Sequence, residues 1–193
     1  SMLAEDIAPN RIFKAKRLVS EMFNKLGSDR VGIIAYASTA IPVLPITTDF
    51  SSAKMFLESL NTDMLSSQGT SIIEAIELSK GYFDDDNQTN RVLCILSDGE
   101  DHEFKEDQLF SAIDESGITI FTIWLGSIKG APIPIKENNI VKSYKKDDKG
   151  EVVITRLNEN LLQKMALQSS GKYIKGDNTN QVVDDIINEL KEM

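Results

Sequence analysis

The stretch Arg91-Val-Leu-Cys-Ile-Leu96-Ser97-Asp98-Gly99-Glu100-Asp101 decides the fold. Five consecutive apolar residues, with no polar alternation and too few for a helix, predict a strand buried on both faces. The run stops at a polar cluster around Gly99. A second run of the same kind, Ile118-Thr-Ile-Phe-Thr-Ile-Trp-Leu125, stops at Gly126, and residues 106–115 between the two have helical spacing. Strand, helix and strand at this separation form a right-handed parallel crossover, so the chain is α/β with helices on both faces of a mostly parallel sheet.

Toward the N-terminus, Ile12, Ala15, Leu18, Val19, Met22, Phe23 and Leu26 recur at helical spacing from Arg11 onward, and Gly27 follows as a helix stop. Residues 30–37 form a nearly continuous apolar strand, and a short link leads to a second strand at 40–46, a hairpin. Pro42 and Pro45 lack ladder donors, which places that second strand at the sheet edge. Helices are predicted at 51–60, capped by Asp49 or Ser51, and at 71–82, with residues 84–90 a solvated acidic turn. Toward the C-terminus the alternation breaks at 127–156. There the segments 140–144 and 152–155 flank Asp147-Asp-Lys-Gly150 and read as a hairpin insertion. Asn158 caps a helix to about residue 168, residues 171–175 form a strand, and 179–191 form the last amphipathic helix. We read 1–193 as one domain.

The composition narrows the function. Hydrophobic residues are 41% and charged residues 26% of 193, ordinary globular usage. A net charge of −9 argues against nucleic acid as partner. The single cysteine, Cys94, allows no internal disulfide and reads as a small buried hydrophobe. There is no Gly-x-Ser-x-Gly elbow, no Walker loop and no dinucleotide fingerprint. The lone His102 has no evident serine partner, so an enzyme is not expected.

In an open parallel sheet ligands bind beyond the carboxyl ends of the strands. Three polar segments reach that edge: Ser97-Asp98-Gly99-Glu100-Asp101, Gln68-Gly69-Thr70-Ser71, and Ser1-Met2-Leu3-Ala4-Glu5-Asp6. With these residues the sequence resembles the von Willebrand factor A domain family. That family carries a metal-ion-dependent adhesion site of an Asp-x-Ser-x-Ser segment, a threonine and an aspartate. Thr70 matches the threonine, Asp98 the aspartate, and Ser1 the last serine. The runs Met2-Leu-Ala-Glu-Asp-Ile-Ala-Pro-Asn-Arg11, Ser97-Asp-Gly-Glu-Asp-His-Glu103, Gly130-Ala-Pro-Ile-Pro-Ile135 and Lys145-Lys-Asp-Asp-Lys-Gly-Glu-Val-Val-Ile-Thr-Arg-Leu-Asn-Glu159 resemble the bacterial aerotolerance proteins of the Bat type, B branch.

The resemblance implies a three-layer αβα, Rossmann-like fold with one antiparallel edge strand and a sheet ordered 3-2-1-4-5-6. The first central strand, and the aspartate and first serine of the motif, are not in this sequence. Ser1 is either the native last serine or a vector residue that coincides with it. The implied metal ligands are Ser1, Thr70 and Asp98, with Mg²⁺ or Mn²⁺ as the ion. Gly69, Ser71, Gly99, Glu100 and Asp101 are the implied partner-binding residues. With one carboxylate among the ligands, metal binding by this chain is expected to be weak or absent.

The implied function is recognition of a partner's carboxylate within a membrane-associated stress complex of related A-domain proteins. The parent protein would be anchored in the bacterial inner membrane through flanking segments, with the domain in the periplasm. A metal-independent structural scaffold is the alternative, and a Mg²⁺-dependent hydrolase using Asp98 is a further one. A sheet without its central strand also invites dimerisation or strand exchange.

Overall fold

In the computed structural model, residues 1–65, 69–83, 89–101 and 105–193 are described. Gln68, the 84–88 part of the acidic turn, His102 and Glu103 lie outside the described residues. Helix α1 spans Arg11–Lys25 and starts at Asn10, whose side chain accepts from Phe13 N. Strands β1 (Val31–Tyr36) and β2 (Ala40–Thr47) pair antiparallel, the predicted hairpin. Helix α2 (Phe50–Ser59) is capped by Asp49, whose carboxylate accepts from Ser51 N and Ser52 N. Helix α3 spans Ile72–Tyr82.

The decisive stretch forms β3 (Val92–Ser97), followed by α4 (Glu106–Ser116) and β4 (Thr119–Trp124). β3 and β4 run parallel from Val92↔Thr119 to Ser97↔Trp124. Four short strands come next: β5 (Ala131–Pro132), β6 (Pro134–Glu137), β7 (Ile140–Tyr144) and β8 (Ile154–Thr155). Helix α5 (Glu159–Gln168), β9 (Tyr173–Lys175) and α6 (Thr179–Glu192) close the chain, and β9 extends the parallel sheet on the far side of β4.

The alternation along β4 builds the layers. Phe121 and Ile123 point to one face and pack with Leu18 and Met22 of α1 and with Val182, Val183, Ile186 and Ile187 of α6. Ile120 points to the other and joins Ile72 and Ile76 of α3, Leu109 and Ile113 of α4, and Leu161 and Met165 of α5. A third cluster seats Ala53 and Leu57 of α2 and Phe23 of α1 on Ile33 and Leu44 of the β1–β2 ribbon. Burial of a residue of this kind contributes about 1.5–3 kcal/mol, and these layers supply most of the driving force for folding. Cys94 packs beside the first cluster, and burial pushes its thiol up to about 12.

β1 and β3 do not pair among the described residues: the order is β1-β2 in one sheet and β3-β4-β9 in another. Tyr36 of β1 and Leu93 of β3 nevertheless pack against the same cluster beneath α3. The expected antiparallel edge strand and parallel sheet are both present, held together by helices on the two faces.

The insertion differs from its expected pairing. β7 pairs with β6, not with residues 152–155, and the turn between them is Asn138-Asn139, with φ of 50° and 62°. Two consecutive left-handed asparagines make the tight turn whose twist suits a hairpin, a signal passed over by the reading that centred the turn on Asp147–Gly150. β8 pairs instead with β5. The expected turn at Asp147–Gly150 survives only as a small loop closed by the Lys146↔Val152 bridge.

Candidate functional site

The end of β3 is a chain of short polar contacts. Ser97 Oγ accepts from Gly99 N at 3.0 Å, and Asp98 Oδ1 accepts from Glu100 N at 3.2 Å, local turns of the kind serine and aspartate favour. Gly99 has φ +72°, and a Cβ there would lie 2.5 Å from the Asn158 carbonyl, so glycine is required. The Asp98 carbonyl accepts from Asn158 N at 2.7 Å, which fixes the start of α5 to this turn.

Asp101 links the second segment. Ser71, at the head of α3, makes no capping bond with its own side chain, and Asp101 Oδ2 accepts from Ile72 N at 3.1 Å instead. A carboxylate at a helix N-terminus is also favoured by the helix dipole. Ser71 N donates to the Ala37 carbonyl at 2.6 Å, so Gly69, Thr70 and Ser71 are held between the end of β1 and the end of β3. The Tyr36 phenol, hydrogen bonded to Ser97, joins those two strand ends. Burial, with Asp98 and Asp101 nearby, raises its pKa far above the ordinary value against that hydrogen bond.

The first segment arrives through Arg11, which has no exposed surface. Its Nε and Nη2 donate to Asp6 Oδ1 and Oδ2 at 2.9 and 2.8 Å. Nη1 donates to Asp98 Oδ2 at 2.6 Å and to Thr155 Oγ1 at 3.0 Å, and Nη2 donates to the Thr155 carbonyl at 3.3 Å. All five guanidinium N–H groups therefore have an acceptor. Thr155 Oγ1 in turn lies against both Asp98 Oδ2 and Glu100 Oε2. Glu100 Oε1 accepts from Arg156 N at 2.8 Å, and Asp6 Oδ2 accepts from Ser127 N at 2.7 Å. Burial works to raise the Asp6 pKa, but Arg11 and the Ser127 bonds outweigh it and hold it below the ordinary carboxylate value.

Ser1 stands within electrostatic reach of this cluster. Burial lowers the pKa of its α-amino group; Asp98 and Glu100 pull it up, while Lys145 and Arg11 push it down. The expected ligands Ser1 and Asp98 are therefore neighbours, and Thr70 directly precedes Ser71 and Ile72, whose amides are bonded to Ala37 and Asp101. Of the expected partner-binding residues, Gly69 is exposed, Glu100 and Asp101 are half-buried, and Ser71 and Gly99 are buried beneath the surface.

The donor set does not fit a divalent cation as it stands. Asp98, the one carboxylate among the expected ligands, has Oδ2 engaged by Arg11 and Thr155 and Oδ1 engaged by Glu100 N. The positively charged guanidinium of Arg11 faces it. Among the described residues no group of three or more His, Cys, Asp or Glu side chains is placed to hold a metal ion.

Sequence reasoning brought Asp6 to this edge only as part of the first polar segment, and it missed the parts played by Arg11, Thr155 and Gly126. One signal was available: Arg11 begins the stripe continued by Ala15, Leu18 and Met22, and a charge on an apolar stripe needs a buried partner. Gly126 could only be found in three dimensions, because a Cβ there, at φ +136°, would sit 3.0 Å from the Arg11 guanidinium.

A doubly wound sheet with its polar loops gathered beyond the strand ends defines the class: an open α/β domain that presents a binding face at one edge. More narrowly, the chain belongs to the von Willebrand factor type A domain family, whose model matches residues 1–100. A crystal structure of an aerotolerance-related membrane protein from Bacteroides fragilis is 40% identical, with a TM-score of 0.92 over 100% of this chain and 94% of that one. The conserved hypothetical protein BatB from Bacteroides thetaiotaomicron is 39% identical, with a TM-score of 0.90 over 100% of this chain and 92% of that one. The domain is accordingly of the Bat type.

A von Willebrand factor type A protein from Catenulispora acidiphila shares the fold at 15% identity and a TM-score of 0.66, over 93% of this chain and 37% of that one. An uncharacterized protein of Borreliella burgdorferi is 24% identical over 129 residues, 66% of this chain. The chain spans 38% of the length of that curated relative.

Proposed function

We propose that this domain is a non-catalytic protein-interaction module of a membrane-anchored protein, engaging related A-domain proteins through the edge beyond β3 and the 127–156 arm beside it. The observation that carries the reading is the arm. Every residue of β7 is exposed, yet Ile140 (62%), Val141 and Tyr144 are apolar, as are Ile128 and Ile135 nearby. Ile140 and Tyr144 share one face of the ribbon, and exposed apolar side chains on a strand that covers no core suit docking to another protein. Glu100, the Lys136–Glu5 ion pair and Arg11 all join the arm to the candidate edge. Placement of the domain in the periplasm, beside an inner membrane that other parts of the protein cross, belongs to the same proposal. Among the described residues no helix is long and apolar enough to cross a membrane.

A metal-bridged form of this reading, with Mg²⁺ or Mn²⁺ recruiting a partner carboxylate, would need Asp98 released from Arg11 and Thr155 and joined by a further carboxylate, and the donor set as it stands does not fit it. Pairing of the open β1 and β3 edges with a second copy is a separate route to self-association. Photo-cross-linking in the membrane-anchored protein tests the main reading, with the reactive group placed at Ile140 or, as a control, at Leu167, which is 82% exposed on α5. Cross-links to another A-domain protein from Ile140 alone are expected. Equal yields at both positions, or none at Ile140, would refute the arm as the docking element.

A further inference from the structure

We infer that Arg11 is the resident cation of this site: its guanidinium occupies, beside Asp98, the electrostatic role a divalent ion would otherwise fill. The inference holds whatever partner the edge takes.

Three carboxylates converge on one place in the fold. Asp6 holds Nε and Nη2 of Arg11 in a two-pronged pair, Asp98 holds Nη1, and Glu100 reaches the shared Thr155 hydroxyl. Asp98 is 2% exposed and Arg11 0%. Carboxylates buried so deeply require a compensating positive charge held in fixed geometry. Arginine supplies it better than lysine, because its planar fork meets several oxygens at once.

Three features show that the place is built for the guanidinium. All five of its donors are used, so none is left over for a ligand. Gly126 leaves room for its flat face, where any Cβ would press on it. The chain also delivers it from a fixed point, the first turn of α1, where the Arg11 amide donates to the Ala4 carbonyl at 3.1 Å. A divalent cation at Asp98 would have to displace this group or share the carboxylate with it. Displacement strands the buried guanidinium away from Asp98, and sharing sets two cations against one carboxylate.

The consequence is specific. This chain should be indifferent to Mg²⁺ and Mn²⁺, and removal of Arg11 alone should create a response, because Asp6 and Asp98 are then left buried without a counter-charge, which a divalent cation drawing the two carboxylates together would supply. The experiment measures thermal midpoints in EDTA and in millimolar MnCl₂, with Mn²⁺ binding followed by the loss of its free electron-spin-resonance signal.

The unsubstituted chain is expected to show equal midpoints and no saturable Mn²⁺ binding. Arg11→Met should melt about 10 °C lower in EDTA. It should recover several degrees in MnCl₂ and bind Mn²⁺ saturably, both effects vanishing when Asp98→Asn is added. Arg11→Lys keeps the charge and should stay silent to metal. Saturable Mn²⁺ binding by the unsubstituted chain, abolished by Asp98→Asn, would overturn the inference, as would a folded Arg11→Met that ignores Mn²⁺. Should Arg11→Met not fold in either buffer, the unsubstituted chain and Arg11→Lys decide: silence in both upholds the inference, and binding in either refutes it.

Discussion

The Arg11 cluster and the β6–β7 ribbon invert the usual distribution of polarity. One puts a charge where no water reaches, and the other puts isoleucine, valine and tyrosine where water is everywhere. The cluster can remain inside because every donor of Arg11 meets an acceptor and its charge lies between two carboxylates, Asp6 and Asp98. The ribbon has no such internal compensation: neither face of β7 lies on a core, and a two-stranded ribbon alone is marginal in water. Complete satisfaction marks the first as a finished part of the fold. Its absence is what supports the second as the docking element proposed above. The ribbon's surroundings support this, since residues 127–156 carry seven Lys and Arg against four Asp and Glu in a chain whose net charge is −9. A partner with an acidic rim around an apolar centre would complement the arm.

The contrast breaks most visibly at Asp98. Asp98→Ala strands the buried guanidinium with only Asp6 as counter-charge, and should cost about 3–5 kcal/mol in urea unfolding. A loss under about 1 kcal/mol would mean that water reaches the cluster and that it behaves like a surface pair.

A smaller effect should appear with pH. The folded-state pKa of Asp6 lies below its ordinary value, so its contribution is fully present above the ordinary carboxylate range and is lost as pH falls through the lowered value. Acid unfolding of Asp6→Asn should therefore be less steep below about pH 4 than that of the parent chain. Parallel acid-titration curves would contradict this.

The smallest effect on stability belongs to the arm. Ile140→Ser should change the unfolding free energy by no more than about 0.5 kcal/mol, the usual scale for a surface position, while weakening partner capture. A larger loss of stability would show that the ribbon is packed on its own domain rather than awaiting another.

Part of this was legible in one dimension. The runs at 92–96 and 118–125 could only be buried strands, because period and length left no helix to make of them, and the helix between them fixed their parallel sense. Pro42 and Pro45 marked β2 as an edge because a missing N–H is a local fact. The segments holding Thr70 and Asp98 could be placed together because residues that follow strands or precede helices in such a sheet gather at one edge, while the choice of those two residues rested on the family resemblance. The 127–156 insertion was misread because two turn signals competed. Asn138-Asn139 won over Asp147–Gly150 through pairing of β7 with β6, a choice that depends on which strands come within reach.

The sequence by itself determined the layers and the edge at which the polar loops gather, since hydrophobic period and turn chemistry act over a few residues. Only the tertiary structure decided what Asp98 does there. Arg11 lies 87 positions away from it and Thr155 a further 57 on the other side. A carboxylate becomes a metal ligand or half of a buried ion pair according to which charge the folded chain sets against it.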